Sequence, residues 1–235
     1  MAGRLEGRIA LITGASRGIG AGVARRFAAE GAHLILVART VGGLEEIDDQ
    51  VKAVGGSATL VPADLTEMDQ IDQMGGAIYQ RFGRLDVLVG NAGTLGILSP
   101  VPHVAPAVWE ETMMLNATVN FRLIRSFDPL LRLSDAGRAI FVTSGVARNP
   151  HAYWGPYAAS KAALEALVQT YAGEISKTNV RANIVSPGGV RTSMRAQAFP
   201  GEDPQTLPTP DDVTDIFVRL AEPSFQENGA LFNAQ

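Results

Sequence analysis

Tyr157 and Lys161 lie four residues apart in GPYAASKAAL (155–164), a stretch otherwise built from Gly, Pro, Ala, Ser and Leu. On a helix, residues i and i+4 share a face, which sets an ammonium beside a phenol. A nearby cation favours phenolate and lowers a pKa that is ordinarily about 10. The result is a group that can give and take a proton near neutral pH. A tyrosine packed on a lysine stem gives the same spacing, so the pair alone decides nothing. Pro156 suits the first turn of such a helix, where its missing N–H costs nothing. Ala158, Ala159, Ser160, Ala162 and Ala163 leave room for backbone or a ligand to come close.

A second constellation is TGASRGIGAG (13–22), in which Gly14, Gly18 and Gly20 follow the apolar run RIALIT (8–13) and open an amphipathic segment. A turn between a strand and a helix presents free backbone N–H groups and the helix dipole to a dinucleotide pyrophosphate. Glycine is required where a Cβ would block that approach. Placement after a strand and before a helix is what separates this pattern from a chance run of glycines. The second apolar run ends Val37-Ala38-Arg39-Thr40, where NAD sites carry an acid about 20 positions after the turn. Here the acid is absent, and Arg39 together with Arg17 of the turn can pair with a 2′-phosphate. NADP(H) is therefore expected over NAD(H). An Arg39 that is only a solvated strand-end residue would leave both acceptable.

These residues need a scaffold, and the hydrophobic pattern supplies one. Six runs rich in Val, Ile and Leu occupy 8–13, 33–38, 58–63, 85–90, 138–143 and 180–186. Runs apolar on both faces read as strands buried in a parallel sheet. Between them, helices are expected at 18–30, 41–54, 67–82, 106–132 and 156–177. This β-α-β alternation implies an α/β doubly wound sheet with helices on both faces. The segment 195–212 carries Pro200, Pro204, Pro208 and Pro210 and reads as a loop or flap within one domain spanning 1–235.

Composition narrows the function. The 235 residues are 46% hydrophobic and 19% charged, with a net charge of −4 and no cysteine. Thiol catalysis, disulfides and thiolate metal sites are excluded. An acidic balance offers nothing to nucleic acid or an anionic membrane. His33, His103 and His151 are far apart, with no HExxH-type pair, so no metal site is expected. No stretch approaches the about 18 apolar residues of a membrane span, and the N-terminal MAGRLEGRIALITG lacks a signal-length apolar core, so a cytoplasmic location is expected.

Taken together, these motifs resemble the short-chain dehydrogenase/reductase family, and the resemblance covers nearly the whole chain. Thr13-Gly14-Ala15-Ser16-Arg17-Gly18-Ile19-Gly20 is similar to its cofactor turn, Asp64-Leu65 to its adenine-contacting pair, and Asn91-Ala92-Gly93 to the motif after its fourth strand. Asn116, Ser144, Tyr157 and Lys161 match its catalytic tetrad in order and spacing. Pro187-Gly188-Gly189-Val190-Arg191-Thr192 resembles the segment that holds the nicotinamide carboxamide. The resemblance implies a seven-stranded parallel Rossmann sheet. It also implies an NADP(H)-dependent oxidoreductase that interconverts a carbonyl and an alcohol. Ser16, Ile19, Thr40, Pro187, Val190 and Thr192 would then contact cofactor. Tyr157 would be the general acid/base, Ser144 a donor to the substrate oxygen, and Asn116 the anchor of a water leading from Lys161 to solvent. Lys161 would bind the nicotinamide ribose and lower the Tyr157 pKa.

One departure stands out. Where the family commonly has Asn-Asn-Ala-Gly, this chain has Gly90-Asn91-Ala92-Gly93, which is expected to loosen the loop around the adenosine. In relatives the 106–132 and 156–177 helices form a dimer face, so a homodimer or homotetramer is expected. Leu95, Val146, His151, Tyr153, Trp154, Gly189, Met194 and Phe199 follow the motifs and are candidates for an apolar substrate pocket, although the same residues could be loop packing. Two other readings stay open on the same fold: an NADP(H)-binding scaffold without turnover, and epimerisation or dehydration in place of carbonyl reduction.

Overall fold

The computed structural model describes residues 3–235; Met1 and Ala2, the start of the N-terminal stretch read above, lie outside the described residues. Seven strands form one sheet: β1 (Ile9–Thr13), β2 (His33–Ala38), β3 (Ser57–Pro62), β4 (Val87–Gly90), β5 (Arg138–Val142), β6 (Arg181–Ser186) and β7 (Leu231–Asn233). Their order is β3-β2-β1-β4-β5-β6-β7, and every pairing is parallel. The helices are α1 (Gly18–Ala29), α2 (Val41–Ala53), α3 (Met68–Phe82), α4 (Pro106–Met113), α5 (Val119–Arg132), α6 (Gly155–Glu174), α7 (Ser193–Ala198) and α8 (Asp215–Ala221).

The unbroken apolar strands are explained by burial on both sides. Side chains alternate across a strand, so Ile9 and Leu11 of β1 join a core with α3, α5 and α6. Ala10 and Ile12 face the opposite core with α1, α2 and α8. β1 hydrogen-bonds to β2 on one side and β4 on the other. The chain therefore winds outward in both directions from β1 and β4. That reversal opens a crevice at the carboxyl ends of the strands, where ligands bind in such sheets.

Two expectations from the sequence need correction. The helix expected over 106–132 is interrupted by a π-helical turn at Met114–Thr118 that contains Asn116. Residues 195–212 are not plain loop: α7 reaches Ala198, and 3₁₀ turns occupy Pro204–Thr206 and Asp211–Val213. The seventh strand is the three-residue β7, half-exposed and too short to show any pattern. Neither it nor the seven-residue α8 was placed by the sequence reading.

The end of the sheet away from the crevice is closed by Arg138, the first residue of β5 and 2% exposed. Its guanidinium donates to the carbonyls of Glu222 (3.1 Å), Gly137 (2.8 Å), Asn179 (3.2 Å), Pro223 (2.6 Å) and Phe225 (2.8 Å). No carboxylate pairs with it among the described residues. Burial, then the neighbouring Arg8 and Arg181, holds its pKa down to about 10. These bonds tie the segment after α8, which leads into β7, to the starts of β5 and β6. Replacing Arg138 with Met strands those carbonyls and is expected to cost about 3 kcal/mol or more, read as a lower urea midpoint at unchanged slope. Arg138→Lys should recover part of it, and an undiminished midpoint in the Met variant would show that the carbonyl cradle is not stabilising.

Candidate active site

The crevice is a cleft of about 810 Å³. Its walls are Gly14, Ser16, Arg17, Gly18 and Ile19 from the first turn, Arg39 and Thr40 after β2, and Asp64, Leu65 and Thr66 after β3. Asn91 to Leu95 follow β4, Val142 to Ser144 end β5, Tyr157 and Lys161 come from α6, and Pro187, Gly188, Val190 and Thr192 follow β6. Of the residues expected to be catalytic or to contact cofactor, Gly20 and Asn116 do not line it. At Gly20 a Cβ would stand 2.3 Å from the Gly14 carbonyl oxygen and 2.6 Å from Asn91 Nδ2, so this glycine lets α1 seat against the turn.

The glycine turn is held from behind. The Thr13 hydroxyl donates to the Val89 carbonyl (3.2 Å) and accepts from the backbone N–H groups of Asn91 (2.9 Å) and Ala92 (3.0 Å). Asn91 Nδ2 donates to the Thr13 carbonyl at 2.9 Å. The ends of β1 and β4 are thus joined across the switch point. The first turn of α1 has no side-chain cap and no acidic residue, which leaves its N–H groups and dipole open to an anion. Arg17 and Arg39 are exposed at the rim and form no ion pair among the described residues. Asp64 is held below the usual carboxylate range by hydrogen bonds from the Thr66 backbone and hydroxyl, with Arg39 a smaller contributor.

The tetrad residues converge at the inner end. Tyr157 is 8% and Lys161 4% exposed, while Asn116 is fully enclosed. Lys161 Nζ donates to the Val142 carbonyl at 2.8 Å and lies 5.8 Å from the centre of the Tyr157 ring. Burial alone pushes the ammonium down to about 8. It also pushes the Tyr157 phenol up to about 12, and Ser144 pulls only weakly the other way. Desolvation of the phenolate is the largest effect on the Tyr157 hydroxyl.

Asn116 acts as a clamp. Its amide donates to the Thr94 carbonyl (2.9 Å) and to Ser160 Oγ (2.9 Å), and its oxygen accepts from Thr94 N–H (2.8 Å). Ser160 in turn donates to the Tyr157 carbonyl at 2.8 Å. Both amide protons are spent on protein, so a water can meet this side chain only as a donor to Oδ1. Beside Ser144, the Thr143 hydroxyl donates to the buried Glu165 at 2.7 Å. Ser160 and Glu165 were not assigned from sequence, although both fall on the Lys161 helix at spacings that face the sheet.

At the substrate end the apolar candidates divide. Leu95, Trp154 and Met194 line the cleft. Val146 packs behind them with Tyr157. His151 and Tyr153 are exposed and off the cleft, Gly189 does not line it, and Phe199 lines a small neighbouring cavity. Phe199 nevertheless reaches the site through Trp154, whose ring lies 5.7 Å from Phe199 and 5.9 Å from Tyr157. Gln235 was also missed: its Nε2 donates to the Pro187 (2.7 Å) and Gly189 (3.1 Å) carbonyls and braces the loop after β6.

Comparison with known proteins agrees with this geometry. Residues 8–203 match the model of the short chain dehydrogenases. The chain is 39% identical to the Escherichia coli oxidoreductase YciK over 98% of its own length and 93% of that protein. It superposes on a short chain dehydrogenase structure from Pseudomonas syringae with a TM-score of 0.97 and 38% identity, covering 100% and 97% of the two chains. A third match, from Escherichia coli CFT073, has a TM-score of 0.94 and 38% identity over 100% and 99% of the chains, and that protein is complexed with NADPH. With this sheet, this cleft and these relatives, the chain belongs to the short-chain dehydrogenase/reductase family and is an oxidoreductase.

Proposed function

We propose that this oxidoreductase interconverts a carbonyl and an alcohol, with Tyr157 as the general acid/base. The observation that carries the reading is that Tyr157, Ser144 and Lys161 open onto the same cleft as the glycine turn. The cofactor is NADP(H), and the residues fit it: an uncapped helix N-terminus for the pyrophosphate and two arginines without carboxylate partners for the 2′-phosphate. When bound, it supplies the hydride that reaches the carbonyl carbon. Pro187, Val190 and Thr192 line the cleft where they would border the nicotinamide end, and Lys161 would donate to the ribose hydroxyls.

Ser144 donates a hydrogen bond to the substrate oxygen and fixes its place. Tyr157 gives its proton to that oxygen, and the product leaves as the alcohol. A phenol held near 12 is protonated at neutral pH, as a proton donor must be. Asn116 keeps the Thr94 loop and α6 in register around these groups. Leu95, Trp154 and Met194 favour an apolar substrate, with residues 190–212 as its flap. Exposed Trp109, Met114 and Phe121 on α4, the π turn and α5 suit a homodimer or homotetramer face. No helix of the described residues is long and apolar enough to cross a membrane, and we place the enzyme in the cytoplasm.

Three outcomes test this. Tyr157→Phe is expected to lower kcat by about 10²–10⁴-fold while leaving NADPH affinity unchanged, as followed by cofactor absorbance and titration. Activity retained in that variant would end the acid/base assignment. Arg39→Asp should weaken NADPH about tenfold or more and shift preference toward NADH; unchanged NADPH affinity removes Arg39 from the phosphate site. Lys161 carries its charge below about pH 8 in the free protein, so kcat/KM for carbonyl reduction should fall as pH rises through that value. A profile flat across that range would separate the ammonium from the reaction.

A further inference from the structure

Gly90 replaces the first asparagine of the motif after β4, and the structure shows what fills its place. A Cβ at Gly90 would stand 2.5 Å from Asn120 Oδ1 and 2.5 Å from Phe141 Cδ1. Asn120 lies on the first turn of α5, 1% exposed. Its Nδ2 donates to the carbonyl of Asn116 at 2.8 Å, one turn earlier in the π turn. Its Oδ1 is buried with no donor among the described residues. An unpaired buried acceptor costs about 1–3 kcal/mol, a cost that an apolar side chain at this position would avoid.

What the Nδ2 bond holds is the backbone of the residue that clamps the site. Asn116 grips both backbone groups of Thr94 and, through Ser160, the carbonyl of Tyr157. The loop it fixes passes close to the ammonium: a Cβ at Gly93 would lie 3.0 Å from Asn116 Oδ1 and 3.5 Å from Lys161 Nζ. A π turn sets its residues off the regular helical frame, and such turns are frequent at functional sites. A side-chain donor from the following turn resists relaxation of that frame.

We infer that Asn120 is a positioning residue of the reaction, matched to Gly90, that holds Asn116 in the π turn and so sets the Thr94 loop against Lys161 and Tyr157. The inference rests on the acid/base reading above only for its effect on turnover. Asn120 and Phe141 together take the volume that a side chain at position 90 would need.

The test compares Asn120→Thr with Asn120→Val, which share a shape and differ by one hydroxyl. In helices a threonine hydroxyl bonds the carbonyl four residues back, as Thr112 does to Val108 (2.7 Å) and Thr170 to Ala166 (2.9 Å) in this chain. Thr can therefore restore the donor to Asn116. In the Val variant the Thr94 amide, read by hydrogen exchange, should exchange about tenfold faster, while the Thr variant stays near the parent. This reading needs no turnover, so it stands whether or not Tyr157→Phe abolishes activity. In a carbonyl-reduction assay, Val should lower kcat about fivefold or more with NADPH affinity held, and Thr should not. Val and Thr agreeing within about twofold in either measurement overturns the inference. Should the Val protein not fold, Asn120→Ala against Asn120→Ser repeats the comparison with smaller side chains.

Discussion

An ammonium buried to 4% exposure with no carboxylate beside it is the constraint around which this molecule is arranged. Taking a charge out of water costs several kcal/mol unless it is paired or hydrogen-bonded. Lys161 has one protein acceptor, the Val142 carbonyl at the end of β5, and the remaining compensation must come from the cleft it faces. The same burial lowers the ammonium pKa. On the cofactor role proposed above, the hydroxyls of a bound ribose would supply the missing acceptors.

That arrangement works only if the elements on either side of Lys161 keep their places. The lysine reaches β5 from α6, so any slide between them breaks its single bond. Thr143 to Glu165 fastens the same helix to the same strand, one helical turn further on. On the other flank, Asn116 ties α6 to the loop after β4, and Thr13 ties that loop to the glycine turn. The two halves of the sheet meet at the β1–β4 pair. These polar contacts cross it beside the cleft, so the glycine turn and the Tyr157 helix are joined through the loop after β4.

Much of this was legible in the chain. Strands such as LDVLVG and RAIFVT could be placed because both their faces are buried, which leaves a run without polar interruption. The order of the motifs supplied the tetrad and the ends of the cleft. What escaped was set by contacts between distant segments. The break at Asn116 has no proline or glycine to announce it, since the π turn is stabilised by Asn120 and by Thr94. The three residues of β7 are ordered by pairing with β6, not by their own propensity. The role of Asn120 had one sequence signal, the missing first asparagine of the β4 motif, but reading it required knowing which side chain takes the empty volume. His151 and Tyr153 sat next to the right residues in sequence, yet the turn that aims Trp154 inward turns them outward.

The sign of the Tyr157 shift also depends on placement rather than residue type. Lys161 Nζ lies 5.8 Å from the centre of the Tyr157 ring and spends a hydrogen bond on the Val142 carbonyl. Burial raises the phenol from 10.0 to about 12, with Ser144 opposing it. A positive charge brought near the hydroxyl would stabilise phenolate, whereas a neutral neighbour leaves the phenol protonated. NADP+ and NADPH differ in that respect at the nicotinamide ring. Under the acid/base role proposed above, the charge on that ring, and not a change in the protein, would set which form of the tyrosine is favoured.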